Sequence, residues 1–355
     1  MNVHCGDPAW WSSVDRRTRW IFSHLTTAVA VSSRVRLARN LSGYPFPHTM
    51  DESQAQEVVE ILLRALSAQA SREAIVIRMG RVPSIEQRLL AERHLVSFDF
   101  AEATLPRAVV LLPSRRLSIM VNEEDHIRIQ AIRPGLALRQ AWRTASAADD
   151  RISRAVSIAF SPRLGYLTAC PTNLGTGLRG SVLLHLPGLA ATGQMPQVEA
   201  QVRSSGVAIR GCFGEYSEAV GNLFQFSTTR SLGQKEEEIL SCLENVVESI
   251  IERERRQREA LRRDRRMQEE ILRTLAEVGR MRQISTAEAL GALSLLILGR
   301  ETGCVKMAAR TIREMVLRLL PGHLQREEGR ILAARQRDRL RAALLRREIG
   351  RLYDV

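Results

Sequence analysis

Between residues 108 and 129 apolar side chains fall on every second position in three short runs: Val109 and Leu111, then Leu117, Ile119 and Val121, then Ile127 and Ile129. A period of two marks strands with one buried face, and breaks this short make the three strands consecutive. The second break is filled by Asn122-Glu123-Glu124-Asp125-His126, five polar residues held between two apolar runs. A lone glutamate is usually a solvated surface group. Two of them in a tight connection between strands form a candidate site.

The rest of the chain extends this pattern. Residues 28–32, 74–79, 166–169, 182–186, 207–209 and 223–226 read as strands. Residues 51–70, 84–94, 136–147, 152–160 and 198–202 read as helices, the first from Val58, Val59, Leu62, Leu63 and Leu66. Strands with helices between them predict an α+β domain built on an antiparallel sheet flanked by helices. Trp10, Trp11, Trp20, Ile21 and Phe22 are expected to pack onto it. After Gly233 the character changes: residues 235–282 read as one long helix, its Arg/Glu run at 252–266 as a solvated face, and the remainder as helical with a break at Pro321-Gly322. The expected division is an N-terminal extension (1–27), a catalytic domain (28–250) and a smaller all-helical C-terminal domain (251–355).

The composition excludes several classes. At 45% hydrophobic and 26% charged the chain is globular in type. No run approaches the roughly 20 apolar residues of a membrane span. Asp7, Asp15 and Trp10-Trp11 stand where a secretory leader would carry a basic head and an apolar core, so a cytoplasmic location is expected. The five cysteines (5, 170, 212, 242 and 304) include no C-x-x-C, so neither a zinc site nor a disulfide framework is indicated. The net charge of +13 is almost all arginine, since Lys235 and Lys306 are the only lysines. Arginine richness has a bland source in the base composition of a genome. Nucleic-acid binding would bring helix-turn-helix, zinc-finger or aromatic RNA-binding signatures, which are missing. An anion site would gather part of the charge in one pocket.

The stretch Cys170-Pro171-Thr172-Asn173-Leu174-Gly175-Thr176-Gly177-Leu178-Arg179 combines a thiol, a proline-fixed entry, two glycines that let backbone come close to a ligand, and three polar side chains. It stands with Ser32-Ser33-Arg34-Val35-Arg36-Leu37-Ala38-Arg39-Asn40, with 122–128, and with Arg210-Gly211-Cys212-Phe213-Gly214-Glu215. These four blocks in this order resemble the ATP:guanidino phosphotransferases, the family of creatine and arginine kinases, and within it the bacterial protein arginine kinases. The resemblance is dense over 28–250. Phosphagen kinases carry about 100 helical residues before these blocks, whereas here a helical region of that size follows them. Cys212-Phe213 stands where relatives carry an aliphatic residue and tyrosine, and Gly180 where many carry alanine.

The chemistry such a family performs is demanding. A guanidinium is a poor nucleophile, its lone pairs delocalised and its pKa above about 12. It must be held in line with a phosphoryl group and lose a proton, work suited to carboxylates matched to its planar donors. The resemblance implies Glu124 and Glu215 as that pair, Glu123 in a supporting role, and Cys170 beside the guanidinium as a thiolate. It implies nucleotide contacts from Ser32, Ser33, Arg34, Val35 and Arg36, from His94 and Arg128, from Arg179, Gly180, Ser181, Val182 and Leu183, and from Arg210, Gly211, Cys212, Phe213, Gly214 and Glu215. No Gly-x-x-x-x-Gly-Lys-Ser/Thr loop is present, so arginines receive the phosphates of ATP. Mg²⁺ is carried by the nucleotide, without protein ligands. Near the C-terminus Arg337, Asp338, Arg341 and Ala342 fit an Arg-Asp-x-x-Arg-Ala motif that binds phosphoarginine allosterically. A homodimer, a zinc-containing activator (McsA), a heat-shock repressor and a Clp unfoldase are the implied associations, with exposed protein arginines as substrate. Two other readings remain open: a kinase of free arginine or another small guanidino compound, and an inactive phosphoarginine-reading or DNA-associated regulator.

Overall fold

A computed structural model describes residues 10–18, 22–26, 28–67, 74–211 and 219–351. In chain order come α1 (Trp10–Thr18), β1 (Ala30–Arg39), α2 (Glu52–Ser67), β2 (Ile75–Arg78), α3 (Ser84–Glu92), α4 (Phe98–Glu102), β3 (Ala108–Leu112), β4 (Leu117–Val121) and β5 (Ile127–Pro134). They are followed by α5 (Leu138–Ala155), β6 (Phe160–Ser161), β7 (Gly165–Tyr166), β8 (Leu178–His185), α6 (Pro187–Ala191), α7 (Met195–Arg203), β9 (Val207–Gly211) and β10 (Leu223–Thr228). The C-terminal part is helical: α8 (Glu236–Arg263), α9 (Arg265–Val278), α10 (Thr286–Thr302), α11 (Ala309–Arg318), α12 (Pro321–Glu328) and α13 (Ala334–Gly350).

Eight strands pair antiparallel in the order β2-β3-β4-β5-β1-β8-β10-β9. One face buries Val35, Leu37, Ile127, Ile129, Leu178, Val182 and Phe226 under α2, α5, α7 and α8. On the other face, Ile75, Ile77, Val109, Leu111 and Met120 from the outer strands join one apolar cluster with α1, α3, α4, α9, α10, α11 and α13. Each fully buried Leu or Ile of these clusters contributes about 1.5–3 kcal/mol. The middle of this second face, on β5, β1 and β8, carries arginines instead. Trp10, Trp11 and Phe22 are buried as expected, whereas Trp20 and Ile21 lie outside the described residues.

Several local expectations change. The strand expected at 28–32 runs through the arginine block to Arg39, because Ser33, Val35 and Leu37 turn to the core while Arg34 and Arg36 turn away. The helices expected at 136–147 and 152–160 are one helix, α5, which stops at Ala155 so that Phe160 falls in β6, and whose buried stripe is completed by Ala141, Ala145, Ala148 and Asp149 rather than by large apolar residues. The long helix expected over 235–282 breaks at Asp264, which leaves helical geometry (φ −89°, ψ 99°) and caps α9 by accepting the N–H groups of Arg266 and Met267. The Arg/Glu run is not all solvated. Fully buried Glu254 accepts the N–H groups of Gly188 and Leu189 at the start of α6, and Arg258 donates to the carbonyl of His185 at 2.6 Å and to Glu301.

Candidate active site

Strand register gathers the arginines. Arg36 lies opposite Arg179 on β8 and Gln130 on β5, Arg34 opposite Ser181, and Ala38 opposite Arg128. Directly opposed residues share a face, so these side chains converge, and Arg210 joins them through Gln225, which opposes it on β10. Arg34 is aimed by two bonds, Nε to Ser181 Oγ at 3.2 Å and a terminal nitrogen to Gln225 Oε1 at 2.7 Å. Burial, then the charges of Arg179 and Arg128, pull its pKa down to about 10. Arg36 is pulled well below the usual arginine range by burial and by Arg34, Arg128 and Arg179, with Glu123 opposing. Like charges gathered and partly desolvated in this way are a site for an anion with several negative oxygens. His94, just after α3, presents its carbonyl to Gln130 Nε2 at 2.8 Å. Burial, then Arg34, push its imidazole pKa down to about 3, so it stays neutral beside the arginines.

The β4–β5 connection places the glutamates at the edge of this array. Asn122 takes the left-handed conformation (φ 58°), which asparagine tolerates, and donates its side-chain amide to the carbonyls of Ala55 and Pro106. Glu123 points inward, its side chain 7% exposed, and accepts from Arg128, from Ser97 Oγ at 2.6 Å and from the Glu124 N–H. Burial works to raise its pKa, but Arg128, those two donors and Arg36 outweigh it and hold the carboxyl low, hence ionised. Glu124 is 42% exposed and accepts from the other arm of Arg128 at 2.6 Å and, weakly, from Asn173 Nδ2 at 3.4 Å. Arg128 thus spans both carboxylates. Burial alone would lower its pKa; Glu123, Glu124 and Asp125 raise it.

Asp125 fastens this turn to the loop beginning at Cys170. One of its oxygens accepts from Asn40 Nδ2 and from the N–H of Ala169, both at 2.7 Å. His126, next to it, is spent on structure: Nδ1 accepts from the Leu41 N–H and Nε2 donates to the Pro45 carbonyl. Cys170 Sγ lies 3.0 Å from Thr172 Oγ1. The loop glycines serve a different close approach from the one expected. A Cβ on Gly175 (φ 98°) would lie 2.7 Å from Leu232 Cα, and one on Gly177 (φ 63°) 2.6 Å from the Ala38 carbonyl. They let the loop lie against the protein's own backbone. Beneath it Arg39 bonds the Thr176 carbonyl, pairs with Asp149 at 2.6 Å and stacks on Tyr166 at 3.4 Å.

Residues 55–257 match the ATP:guanido phosphotransferase C-terminal catalytic domain, and residues 264–354 match the protein-arginine kinase McsB C-terminal domain. The chain is 41% identical over 342 residues to the protein-arginine kinase of Moorella thermoacetica, covering 94% of this chain and 98% of that relative. It is 38% identical to the protein-arginine kinase of Pelotomaculum thermopropionicum over 91% of this chain and 93% of the relative. The chain belongs to the ATP:guanido phosphotransferase family. Among solved structures, lombricine kinase is similar with a TM-score of 0.56 and 26% identity, over 64% of this chain and 66% of its own. The duplicated taurocyamine kinase from Schistosoma mansoni shares the fold, with a TM-score of 0.60 at 24% identity over 75% of this chain and 39% of its own.

In this guanido phosphotransferase the residues expected at the nucleotide divide by face. Ser32, Arg34, Arg36, Arg128, Arg179, Ser181, Leu183 and Arg210 share one side of the sheet. Ser33, Val35, Gly180 and Val182 lie on the other: Ser33 Oγ donates to the Gly135 carbonyl and accepts the Ala137 N–H, Val35 and Val182 are core, and Gly180 abuts Leu240 and Leu243. Gly211 ends β9. Cys212, Phe213, Gly214 and Glu215 lie outside the described residues. Ser97, Gln130, Gln225 and Asn40 were not anticipated, and only strand register and loop packing bring them in. Arg337, Asp338, Arg341 and Ala342 fall on α13. Arg341 is buried, donating to the carbonyls of Leu319 and Ile284 and to Asp338; Arg337 donates to the Leu332 carbonyl, and Ala342 is core.

Proposed function

We propose that this chain transfers the γ-phosphoryl group of Mg·ATP to arginine side chains of proteins. The observation that carries the reading is the convergence of Arg34, Arg36, Arg128 and Arg179 on one face, with Glu124 at its edge beside the Cys170 loop. The family supplies the rest: guanido phosphotransferases use ATP with Mg²⁺, and relatives matched over nine-tenths of the chain are protein-arginine kinases. The donor set fits a polyphosphate. In this reading Mg²⁺ rides on the phosphates of ATP.

ATP supplies an activated phosphoryl group whose charge spreads over its oxygens in the transition state. Arg34, Arg36 and Arg179 stabilise that charge where it develops, already oriented by the sheet. Glu124, exposed on one side and held by Arg128 on the other, orients the acceptor guanidinium and receives its proton, with Cys170 beside it and Glu215 as its counterpart. Residues 28–250 carry this chemistry, and 251–355 regulate it, with Arg337, Asp338, Arg341 and Ala342 as the phosphoarginine sensor. Arginine marks made by such an enzyme direct proteins to regulation or Clp-type degradation; a homodimer, the zinc-containing activator, a heat-shock repressor and a Clp unfoldase belong to the same reading, on the strength of the family resemblance.

The likeness to lombricine kinase supports a second reading, a kinase of small guanidino compounds. ATP consumption with free arginine as sole acceptor, set against consumption with an arginine-containing unfolded protein, separates the two. Turnover with the protein and little with the amino acid is expected; the reverse would replace the first reading with the second.

A further inference from the structure

The segment Glu92-Arg93-His94 at the end of α3 lies between the C-terminal helices and the arginine face. Glu92 is 1% exposed and takes the first N–H groups of α12: Oε1 accepts from Gly322 N–H at 2.7 Å, and Oε2 from His323 N–H at 3.2 Å, with His323 Nδ1 2.9 Å away. Those N–H groups have no partner inside the helix, and a carboxylate also suits the positive end of its dipole. Arg326 on α12 reaches back to Glu86 on α3 at 2.6 Å. Arg93 donates to Asp15 and Thr18 of α1. His94 then takes the left-handed conformation (φ 53°), and its carbonyl receives Gln130, the residue opposite Arg36. A non-glycine residue holds that conformation only when its surroundings over-determine it. The fit is close: a Cβ on Gly322 would lie 2.8 Å from Glu92 Oε2.

We propose that Glu92 is a positioning residue for the nucleotide site. By pinning the start of α12 to the end of α3 it holds His94 in place, and His94 holds Gln130 against the arginine array. The same contacts extend to α13, because Arg341 Nε donates to the carbonyl of Leu319, two residues before α12 begins. Hydrogen bonds linked by short stretches of backbone, 319–322 and 92–94, therefore join the C-terminal helix to the face that receives ATP. The inference rests on reading that face as the Mg·ATP site.

The test is calorimetric binding of Mg·ATP to the full chain as wild type, Gly322→Ala, Glu92→Gln, and Val198→Ala. Val198 is buried in α7 on the opposite side of the sheet, so its truncation costs stability without touching this path. Gly322→Ala and Glu92→Gln are expected to weaken Mg·ATP binding about 3- to 30-fold, the range of mutations along a coupling path. Val198→Ala should leave it unchanged while lowering Tm. Should Glu92→Gln fail to fold, Gly322→Ala carries the test, since alanine suits a helix better than glycine. Wild-type affinity in Gly322→Ala, or equal weakening in Val198→Ala, would overturn the inference alone. Failure of the wild type to bind Mg·ATP would bring down the nucleotide site and this inference with it.

Discussion

Arg34 shows what a single side chain contributes. Its Nε rests on Ser181 and a terminal nitrogen on Gln225, so the guanidinium is aimed before any ligand arrives. A hydrogen bond to a charged group is worth about 1.5–3 kcal/mol, so Arg34→Gln should raise the KM for ATP about 10- to 100-fold, with the protein acceptor's KM little changed. Steady-state kinetics in each substrate checks this, and an acceptor-only effect would contradict it. Arg34 stood out as a candidate because it lies in a block of distinctive wording. The contacts of Gln225 and Ser97 did not stand out. Gln225 is 191 positions from Arg34 and Ser97 is 26 from Glu123, and nothing local to either residue signals the contact. Asp125 is the middle case: its block was read as a site, but its use as the tie between Asn40 and Ala169 depends on a loop more than 40 residues away.

At the scale of elements, the antiparallel sheet was legible wherever apolar residues alternate, as in β3, β4 and β5. It was obscured in β1, where Arg34 and Arg36 occupy one face and hide the same period. The α5 stripe was hidden for the opposite reason, its buried positions being filled by small alanines and by Asp149, whose carboxylate is needed by Arg39. Asp264 caps α9 within a charge-rich stretch that reads as unbroken helix. The 170–177 loop stood out as a candidate site, but its glycines answer to packing. Gly177→Ala places a Cβ against the Ala38 carbonyl at a left-handed residue, and should cost about 2 kcal/mol or more. Denaturant unfolding measures this; a loss below about 0.5 kcal/mol, the size of an ordinary surface change, would contradict the geometry.

For the whole molecule, the sheet separates two apolar bodies: α8 packs in the body away from the arginines, and α9, α10, α11 and α13 belong to the one beside them. Three histidines, His185 and His126 buried and His94 half-buried, bind them to a pH dependence. His185, fully buried with Nε2 bonded to Ser294 of α10, has its pKa pushed well down by burial and then by Arg258; burial, then Arg34, pushes His94 to about 3; burial lowers His126 against the opposing Pro45 carbonyl. Each stays neutral when folded, whereas the unfolded chain takes up protons below about pH 6.5. Their stability contribution is complete above that pH and is lost as pH falls toward the depressed values. Below about pH 6 the fully buried His185 alone gives a slope approaching 1.4 kcal/mol per pH unit. Unfolding at pH 7 and pH 5.5 should show that loss, and a flat profile would contradict it.

In the proposed reaction Glu124, at the edge of an arginine-lined face, directs phosphoryl transfer from ATP to arginine. The most direct measurement is the intact mass of an arginine-bearing protein after incubation with Mg·ATP and either wild type or Glu124→Gln, before and after acid treatment. Acid-labile phosphoryl additions are expected with wild type, at a rate about 10²- to 10⁴-fold lower with the variant. Acid-stable additions, no additions with wild type, or an undiminished rate in Glu124→Gln would contradict it.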